Sequence, residues 1–450
     1  MAQSRLFGTD GIRGRANEEP LTPDFATAFG QAVAAKFGRE GQPVVIGRDT
    51  RISGPALEEA VANGIISMGV DVVLVGVVPT PAIAFLTRHL HGCAGIVISA
   101  SHNPFEDNGL KIFKGDGLKC DDALELELEG LIFDNVSRKS GAKAAKPGRL
   151  ETWPDAARRY AELAIKTYGQ GLDLHGLRIV LDAGNGAAYE TTPHVLRGFG
   201  AEVLSFNIEP NGTNINAGCG STYPEIIQQA VKDLGADIGF SHDGDADRLI
   251  CCDETGSLLD GDEMLAVIGL DLLKHGKLAK NTLVATVMSN LGLDECFAAA
   301  GGKVLRANVG DRYVLEQMLA HDLNLGGEQS GHIILRDYNT TGDGLVTALE
   351  LLRIMKASGE PISRLRQGLR KYSQLLVNVK VLERVPLDEL PEVTDTIKAI
   401  EKELGVNGRI LLRYSGTEPK IRLLVETRDE ALLQPVVDRV LAPIKKHLAL

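Results

Sequence analysis

The sequence is poor in cysteine. Only six cysteines occur among 450 residues, at positions 93, 120, 219, 251, 252 and 296, and no two of them form a C-x-x-C pair. Small domains held together by disulfides use far more cysteine, and zinc sites use closely spaced pairs. This scarcity predicts a reducing compartment and argues against both a disulfide framework and a cysteine zinc site.

The chain also lacks an apolar run long enough to cross a bilayer. Its longest apolar stretch is 72–86, which Pro79 and Pro81 interrupt and which falls short of the roughly 20 residues that a spanning helix needs. The first five residues lead into Leu-Phe-Gly-Thr-Asp, without the apolar core of a secretory signal. We therefore expect a cytoplasmic protein with no membrane partner.

Positive charge is in deficit as well. The 48 lysines and arginines are outnumbered by 60 aspartates and glutamates, which gives a formal net charge of -12. Nucleic acids are bound by basic stripes, and no such stripe occurs in this sequence. We expect no nucleic-acid partner, and any anionic substrate must meet a local cluster of arginines.

What the sequence does contain is a repeated pattern of strand, helix and strand. Three βαβ units are predicted over 44–76, 178–206 and 283–307. Because 450 residues are too many for one hydrophobic core, these units predict an α/β fold with three tandem, related, mixed α/β domains. The alternative, that any α/β chain shows such periods without internal repetition, stays open.

Domain boundaries are predicted from shifts in composition. Residues 137–149 are basic, rich in alanine and glycine, and weakly periodic, which is typical of a linker. Beyond residue 369 the pattern changes to a strand (375–382), a helix (387–404), a hairpin (409–412 with 421–426) and a helix (430–447), which predicts a smaller C-terminal α+β domain. We expect four domains, over 1–150, 151–255, 256–368 and 369–450.

The first candidate site follows an apolar strand predicted over 94–98. The strand runs into a small polar loop that contains Ser101 and His102 and that Pro104 makes rigid. Open α/β sheets bind ligands at such strand exits. Adjacent side chains point apart, however, and no acid–base partner lies nearby in the sequence to activate a nucleophile. We propose that Ser101 is a phosphoserine, an interpretation that depends on the distant candidate segments of the chain.

A second candidate site has three carboxylates at alternate positions, Asp243, Asp245 and Asp247, directly after a predicted strand. Alternate spacing in a tight turn brings carboxylate oxygens together around one hard cation. An EF-hand loop is excluded because Arg248 stands at the sixth position, where glycine is needed, and 249–252 is typical of a strand. We expect metal binding, with an acidic surface turn as the alternative.

A glycine-flanked polar loop over 326–332 is the third candidate. Its glycines allow close approach of a ligand, while Glu328, Ser330 and His332 offer groups for hydroxyl binding and proton transfer. Taken in isolation, an ordinary turn explains this loop better. Lys111, which lies close downstream of the serine loop, would in isolation be a solvated charge.

The last candidate is the tip of the predicted C-terminal hairpin, over 413–419. Hydroxyls, exposed backbone amides, and the side chains of Arg413 and Arg422 form a suitable cradle for a phosphate group. A simple hairpin connection is the alternative.

Taken together, these segments resemble the α-D-phosphohexomutase superfamily, and within it the glucosamine branch. The matching segments stand in family order: Phe7 to Gly14, Ile98 to Pro104, Asp243 to Arg248, Gly327 to His332 and Arg413 to Pro419. The resemblance implies three related mixed α/β domains and a divergent fourth, arranged around one central cleft. Gln329 and the opening Phe7 to Gly14 favour the glucosamine branch, although Ala246 stands where relatives often carry glycine and Lys420 where they often carry an apolar residue.

The resemblance also implies roles for individual residues. Ser101 would carry the phosphoryl group, and Mg2+ would bind that group together with Asp243, Asp245 and Asp247. Lys111 and His332 resemble the general acid–base pair, and the groups that line the phosphoserine would be Arg13, His102 and Arg248. Glu328 and Ser330 resemble the sugar-hydroxyl contacts, and the residues that would hold the non-reacting phosphate are Arg413, Ser415, Gly416, Thr417 and Arg422.

The activity implied by the resemblance is a phosphosugar mutase. It would interconvert glucosamine 6-phosphate and glucosamine 1-phosphate through a hexosamine bisphosphate intermediate, and would supply amino-sugar precursors for cell-wall synthesis. A second copy of the chain, in a homodimer, is a candidate partner. Two alternatives stay open: a mutase that acts on glucose or mannose phosphate, and a catalytically silent sugar-phosphate-binding protein.

Overall fold

The computed structural model describes residues 5–8, 10–138, 144–168, 171–382, 384–414 and 420–448. It divides into two compact units. One comprises Met1–Met288 with Ala300–Gly368, and the other comprises Ser289–Ala299 with Leu369–Leu450. Each unit is described by itself.

The first unit begins with a six-stranded mixed sheet. Its strands are β1 (Ile12–Arg15), β2 (Val44–Arg48), β3 (Val72–Val77), β4 (Ala94–Ile98), β5 (Asp107–Lys114) and β6 (Leu150–Thr152), in the spatial order β1-β5-β4-β2-β3-β6. The helices of this part are α1 (Pro23–Phe37), α2 (Gly54–Ser67), α3 (Thr80–His89) and α4 (Asp122–Arg138). The buried strands β2 and β4 run parallel, and β5 pairs antiparallel with β4.

A five-stranded sheet follows. Its strands are β7 (Arg178–Asp182), β8 (Glu202–Phe206), β9 (Ile238–His242), β10 (Leu249–Asp253) and β11 (Leu258–Leu259), in the order β11-β10-β9-β7-β8. The helices around it are α5 (Ala156–Tyr168), α6 (Thr191–Gly198) and α7 (Glu225–Leu234). β9 lies parallel to β7 and then turns back into β10, its antiparallel partner.

The third sheet has four strands: β12 (Thr282–Thr286), β13 (Lys303–Ala307), β14 (Leu325–Gly327) and β15 (Ile333–Leu335), in the order β13-β12-β14-β15. Its helices in the first unit are α8 (Gly261–Lys274), α10 (Asp311–Ala320), α11 (Gly344–Ser358) and α12 (Ile362–Leu365), and α9 (Gly292–Ala299) belongs to the second unit. In all three predicted βαβ units the two strands pair in parallel.

The second unit contains a three-stranded antiparallel sheet. Its strands are β16 (Ser373–Lys380), β17 (Gly408–Tyr414) and β18 (Lys420–Thr427), in the order β16-β18-β17. Two helices, α13 (Pro391–Leu404) and α14 (Leu433–His447), contribute to the core of this unit together with buried residues of the strands, such as Ile421 and Val425. The prediction of three mixed α/β domains followed by a smaller α+β domain is therefore confirmed.

Local sequence explains where several helices begin. Thr22 caps α1 by accepting a hydrogen bond from the amide of Phe25, and Pro23 occupies the first helical position. Asp260 and Glu263 form a reciprocal capping box at the start of α8. No helix in the described part of the chain has the length and apolar character to cross a membrane.

The arrangement places three polar loops directly after buried strands. The Ser101 loop follows β4, the three aspartates follow β9, and Glu328 follows β14. Each of these strands has a parallel neighbour in its own sheet. The loops therefore lie at the strand ends where α/β proteins bind their ligands.

Candidate functional site

Ser101 lies against the acidic loop of the second sheet. Its side chain is buried, and Oγ donates a 2.6 Å hydrogen bond to Asp243 Oδ2. The backbone of Ser101 is left-handed, with φ at 54°, a conformation that non-glycine residues rarely adopt. The structure thus brings together the predicted phosphoserine and the predicted metal loop, which are 142 positions apart in the chain.

The three aspartates converge as their spacing predicts. Asp243, Asp245 and Asp247 are all buried, and one carboxylate oxygen of each lies within 4.8 Å of the other two. Their loop joins the antiparallel strands β9 and β10, and Ala246 at its centre is left-handed, with φ at 57°. The turn directs alternate side chains to one point, as a cation site requires.

In two of the aspartates, one oxygen makes short contacts and the other accepts no hydrogen bond, with Asp247 Oδ1 lying 3.9 Å from Arg248 Nε. Asp245 Oδ2 accepts hydrogen bonds from Thr80 Oγ1 at 2.6 Å and Lys111 Nζ at 2.7 Å, and Asp247 Oδ2 lies 3.5 Å from His332 Nδ1. Asp245 Oδ1 and Asp247 Oδ1 are buried without a hydrogen-bond partner. Buried carboxylate oxygens without partners are costly, so this donor set fits a hard divalent cation.

The pKa values of Asp243 and Asp247 are shifted in opposite directions. Burial, and then the charges of Asp247 and Asp245, raise the pKa of Asp243 well above its ordinary value. Burial alone would also raise the pKa of Asp247, but Lys111 and His332 outweigh burial and hold that pKa below its usual range. A cation that neutralises crowded carboxylates of this kind stabilises them.

Lys111 comes from β5, the antiparallel neighbour of the strand that precedes Ser101. Nζ lies 2.7 Å from Asp245 Oδ2, 2.8 Å from Asp10 Oδ2 and 3.8 Å from Asp247 Oδ2. Burial alone would lower the pKa of Lys111, but these carboxylates outweigh burial and raise it. In this setting the side chain is a protonated ammonium group, and so a proton donor.

His332 is buried between two carboxylates. Nδ1 lies 3.5 Å from Asp247 Oδ2, Nε2 lies 3.5 Å from Asp311 Oδ2, and the amide of Gly342 donates to Nε2 at 3.1 Å. Burial opposes protonation of the ring, but the carboxylates of Asp247 and Asp311 outweigh burial and raise the pKa of His332. The two carboxylates thus favour a proton on the ring, and histidine is a residue that can both give and take a proton in a catalytic site.

His102 and Arg248 lie beside Ser101. His102 Nδ1 is 3.4 Å from Ser101 Oγ and 3.4 Å from Arg248 Nη1. Burial, and then the positive charges of Arg248 and Arg13, lower the pKa of His102 to about 4, so its ring is neutral at pH 7. Burial opposes the charge of Arg248, but Asp247 and Asp243 outweigh burial and raise its pKa.

Arg13 and Glu328 complete the predicted groups of the first unit. Arg13, in β1, donates to Asp10, and its Nε is buried without a hydrogen-bond partner. Glu328 Oε1 accepts from the amide of Gly310 at 3.1 Å, and burial raises the pKa of its carboxyl. Ser330 is exposed in the same loop.

The predicted phosphate cradle belongs to the second unit. Arg413 in β17 and Arg422 in β18 are directly opposite each other in the antiparallel register. Burial and the neighbouring charge of Arg422 lower the pKa of Arg413. Two adjacent guanidinium groups favour an anion between them. The other predicted members, Ser415, Gly416 and Thr417, lie outside the described residues.

Sequence reasoning did not identify a chain of charged groups that connects the two proposed acid–base residues. Lys111 contacts Asp10, Asp10 Oδ1 lies 2.5 Å from Lys119 Nζ, and Lys119 forms an ion pair with Asp311, the neighbour of His332. Asp10 lies within the segment Phe7 to Gly14, one of the five segments that carry the family resemblance, so the sequence did point to its neighbourhood. Lys119 and Asp311 are single charges near element ends and offered no signal.

The site can therefore hold a divalent cation and bind a phosphoryl group at Ser101. Lys111 and His332 can give or take protons there. The cation would have the three aspartates as ligands, and the arginines would offset the remaining negative charge. This combination suits phosphoryl transfer, in which positioning and charge neutralisation provide most of the catalysis.

Comparison with protein families identifies the same organisation. Four models of the family Phosphoglucomutase/phosphomannomutase match the chain in order. Alpha/beta/alpha domain I matches residues 4–139, domain II matches 160–256, domain III matches 260–372, and the C-terminal domain matches 376–442. Together they cover well over half of the chain.

Curated relatives are similar over nearly the whole length. The phosphoglucosamine mutase of Syntrophotalea carbinolica is 50% identical over 449 residues, which cover 99% of this chain and 98% of that protein. The phosphoglucosamine mutase of Geobacter metallireducens is 51% identical over 428 residues, which cover 95% of each chain.

Solved structures show the same fold. A phosphoglucomutase/phosphomannomutase family protein from Burkholderia thailandensis matches with a TM-score of 0.82 and 26% identity over 100% of both chains. An Aspergillus fumigatus N-acetylphosphoglucosamine mutase, solved in complex with GlcNAc-6P and magnesium, matches with a TM-score of 0.68 and 17% identity, over 98% of this chain and 95% of that one.

Proposed function

Because this chain belongs to the phosphoglucomutase/phosphomannomutase family and is a phosphosugar mutase, we propose that it interconverts glucosamine 6-phosphate and glucosamine 1-phosphate through a phosphoserine at position 101. The observation that carries the proposal is the 2.6 Å contact between Ser101 Oγ and Asp243 Oδ2, at the edge of three buried carboxylates. Three carboxylates do little to stabilise a neutral serine. With a cation bound between them, however, the charges of the carboxylates and of a phosphoserine are neutralised together.

The cation is proposed to be Mg2+, with Asp243, Asp245, Asp247 and the phosphoserine at position 101 as its ligands. Support comes from Asp245 Oδ1 and Asp247 Oδ1, two buried oxygens that accept no hydrogen bond, since oxygen ligands are the ones that Mg2+ prefers. When bound, the ion would neutralise charge on the phosphoryl group during its transfer. The chain's own residues do the remaining work.

Arginines and histidine are proposed to hold the phosphoryl group at Ser101. Arg248 and Arg13 supply positive charge, and the neutral ring of His102 can donate or accept a hydrogen bond 3.4 Å from Oγ. A phosphoserine brings a charge of about -1.5 to -2 next to three carboxylates, so this positive charge is needed to offset the repulsion. Arg413 and Arg422, with Ser415, Gly416 and Thr417, are proposed to bind the phosphate that is not being transferred.

Each half of the reaction moves one phosphoryl group and two protons. In the first half, a sugar hydroxyl oxygen bonds to phosphorus and its proton passes to His332, while the bond from phosphorus to Ser101 Oγ breaks and Oγ takes a proton from Lys111. The product of this half is a hexosamine bisphosphate. In the second half, Ser101 Oγ bonds to the phosphorus at the other end of the sugar and returns its proton to Lys111, and the sugar oxygen that is released takes the proton back from His332.

The sugar is proposed to be held by Glu328 and Ser330. Glu328 is largely buried and already fixed through the amide of Gly310, so its remaining oxygen can accept a sugar hydroxyl or amino proton. The wider setting is proposed as well: a cytoplasmic enzyme that supplies amino-sugar precursors for cell-wall synthesis, and an assembly into homodimers that sedimentation analysis would test.

The substrate is tested by comparing initial rates with glucosamine 6-phosphate and with mannose 1-phosphate, each at saturating Mg2+ and with a trace of the matching hexose bisphosphate. We expect a clear preference for glucosamine 6-phosphate in kcat/KM. A preference for mannose 1-phosphate would overturn the substrate assignment. Ser101→Ala serves as the background control and should lose about 10³-fold or more of the activity.

A further inference from the structure

One buried guanidinium binds the backbone of the Ser101 loop at four points. Arg51 Nη2 donates to the carbonyl oxygens of Ser101 at 2.9 Å and Asn103 at 2.8 Å. Arg51 Nη1 donates to Asp107 O at 3.0 Å and also to the carbonyl oxygen of Pro104. The side chain of Arg51 is completely buried. Only the planar fork of an arginine supplies donors in this arrangement.

The charge of Arg51 is already neutralised. Its Nε donates to Asp49 Oδ2 at 2.8 Å, so all five N–H groups of the guanidinium have partners. Asp49 Oδ2 also accepts from Ser99 Oγ at 2.6 Å, and Ser99 Oγ accepts from the amide of Ser101 at 2.9 Å. Arg51 therefore has no donor left for a phosphate, and its contacts are with the loop backbone.

The side-chain amide of Asn216 is a second donor to the carbonyl groups of Ser101 and Asn103. Asn216 follows the strand β8 of the second sheet, and its Nδ2 donates to Ser101 O at 2.9 Å and to Asn103 O at 3.0 Å. Gly244, within the aspartate loop, packs so closely that a Cβ there would lie 2.6 Å from Ser101 O. The loop is thus fixed between the first sheet and the aspartate-bearing part of the chain.

These contacts explain how Ser101 holds its unusual backbone. A left-handed serine is strained, and such a residue persists only when its surroundings fix it. Here the amide of Ser101 is held by Ser99, and its carbonyl oxygen is held by Arg51 and Asn216. With both backbone groups fixed, the Cα–Cβ bond of Ser101 is fixed as well, and Oγ donates to Asp243 Oδ2 from that position.

We propose that Arg51 and Asn216 are positioning residues for the phosphoryl transfer, which clamp the carbonyl oxygen of Ser101 and so fix the direction of Oγ toward the aspartate loop. The proposal rests on the proposed phosphoserine function. The donors of the clamp bond to Asp49 and to backbone carbonyl groups, which leaves none for the transferred phosphoryl group or the sugar. Loss of the clamp should therefore lower kcat and leave substrate binding nearly unchanged, because a misplaced reacting atom slows the chemical step.

Asn216→Gly is the sharpest test. Glycine adopts the left-handed backbone of Asn216, with φ at 57°, without strain, so the substitution removes the side chain and its hydrogen bonds without straining the backbone. Asn207→Gly is the matched control, because Asn207 has φ at 51° and its Nδ2 donates to Asp182 Oδ1 at 3.0 Å, away from the Ser101 loop. For both variants, the full-length protein is assayed for kcat, KM, melting temperature and hydrogen exchange of the peptide 99–107.

We expect Asn216→Gly to lower kcat by about 10- to 100-fold with KM within about twofold, and to speed exchange in 99–107. Asn207→Gly should keep the wild-type kcat and the wild-type exchange of that peptide. Arg51→Lys, which offers three donors in place of five, should lower kcat further than Asn216→Gly if it folds.

A kcat for Asn216→Gly equal to that of Asn207→Gly, or unchanged exchange in 99–107, would overturn the proposal. So would a wild-type kcat in Arg51→Lys. If the phosphoserine function itself were wrong, the result would be different: Ser101→Ala would keep full activity.

Discussion

Ser101 Oγ and Asp243 Oδ2 lie 2.6 Å apart, in a contact that joins the loop after β4 to the loop after β9. The pKa of Asp243 is raised, first by burial and then by the charges of Asp247 and Asp245. The crowding of three buried carboxylates is costly, and it would make a bound cation strongly stabilising.

Added Mg2+ should raise the melting temperature of metal-free protein. A ligand that binds only the folded state at 100 times its Kd stabilises by about 2.7 kcal/mol, which is a shift of a few degrees for a chain of this size. Differential scanning fluorimetry of Asp245→Asn should show a much smaller shift, while Asp322→Asn, at an exposed position, should keep the wild-type shift. An undiminished shift in Asp245→Asn would rule out this site for the cation.

His332→Gln should lower kcat by about 10²- to 10⁴-fold, with a smaller effect on KM, because glutamine cannot take up the hydroxyl proton. The control is His321→Gln, since His321 is an exposed residue at the end of α10. Both variants are compared by initial rates with glucosamine 6-phosphate. Wild-type turnover in His332→Gln would exclude this histidine as a proton acceptor.

Ala246→Gly should be more stable than Ala187→Gly by about 1–2 kcal/mol, the cost of a left-handed backbone in a residue that has a Cβ. Both alanines are buried, and both substitutions remove one methyl group. Ala246 has φ at 57°, whereas Ala187 is not among the residues with positive φ. Urea unfolding measures the two free energies of unfolding. Equal losses of stability would show that Ala246 carries no backbone strain.

The cysteines should be almost inert in the folded protein at pH 7.5. Burial raises the pKa of Cys120 and Cys252 to about 12 and that of Cys219 and Cys296 to about 11, and it also raises the pKa of Cys93 and Cys251. A raised pKa lowers the thiolate fraction at a given pH, so reactivity appears only as the pH approaches about 11.

Alkylation followed by mass spectrometry, with and without guanidinium, checks this expectation. Cys296 is only half-buried and should react first in the folded protein. A cysteine that is modified as fast in the folded protein as in the unfolded one would contradict the buried, protonated state.

Much of the fold could be predicted because its determinants are local. The βαβ unit predicted over 178–206 begins with β7 at Arg178 and ends with β8 at Phe206, and the unit predicted over 283–307 ends with β13 at Ala307. The resemblance to the phosphohexomutases is confirmed by the family and the relatives that the chain matches. The predicted domain limits and the roles of the site residues stay predictions.

Element ends were less predictable. A single helix was expected over 387–404, but 387–389 forms a 3-10 turn and the α-helix begins at Pro391, because proline lacks the N–H that a continuous helix would need. The strand β6, Leu150–Thr152, lies at the end of the predicted linker and pairs with β3. Three residues are too few to show a period of two.

The contacts that hold the site could not be read from the sequence. Arg51, Asn216, Lys119 and Asp311 lie in ordinary polar segments, and the partners that they hold in the site lie far away in the chain. No local pattern distinguishes such a residue from a solvated charge. Only tertiary folding shows that Arg51 is buried and that Asn216 donates to the carbonyl groups of another sheet's loop.

The central claim is that Ser101 gives its own phosphoryl group to the sugar. The most direct measurement is a single-turnover experiment in which the protein, labelled with radioactive phosphate at Ser101 and mapped by phosphopeptide analysis, is mixed with excess unlabelled glucosamine 6-phosphate. The account predicts that the label leaves Ser101 and appears in sugar phosphate within the first turnover. Label that stays on Ser101 through many turnovers would contradict it.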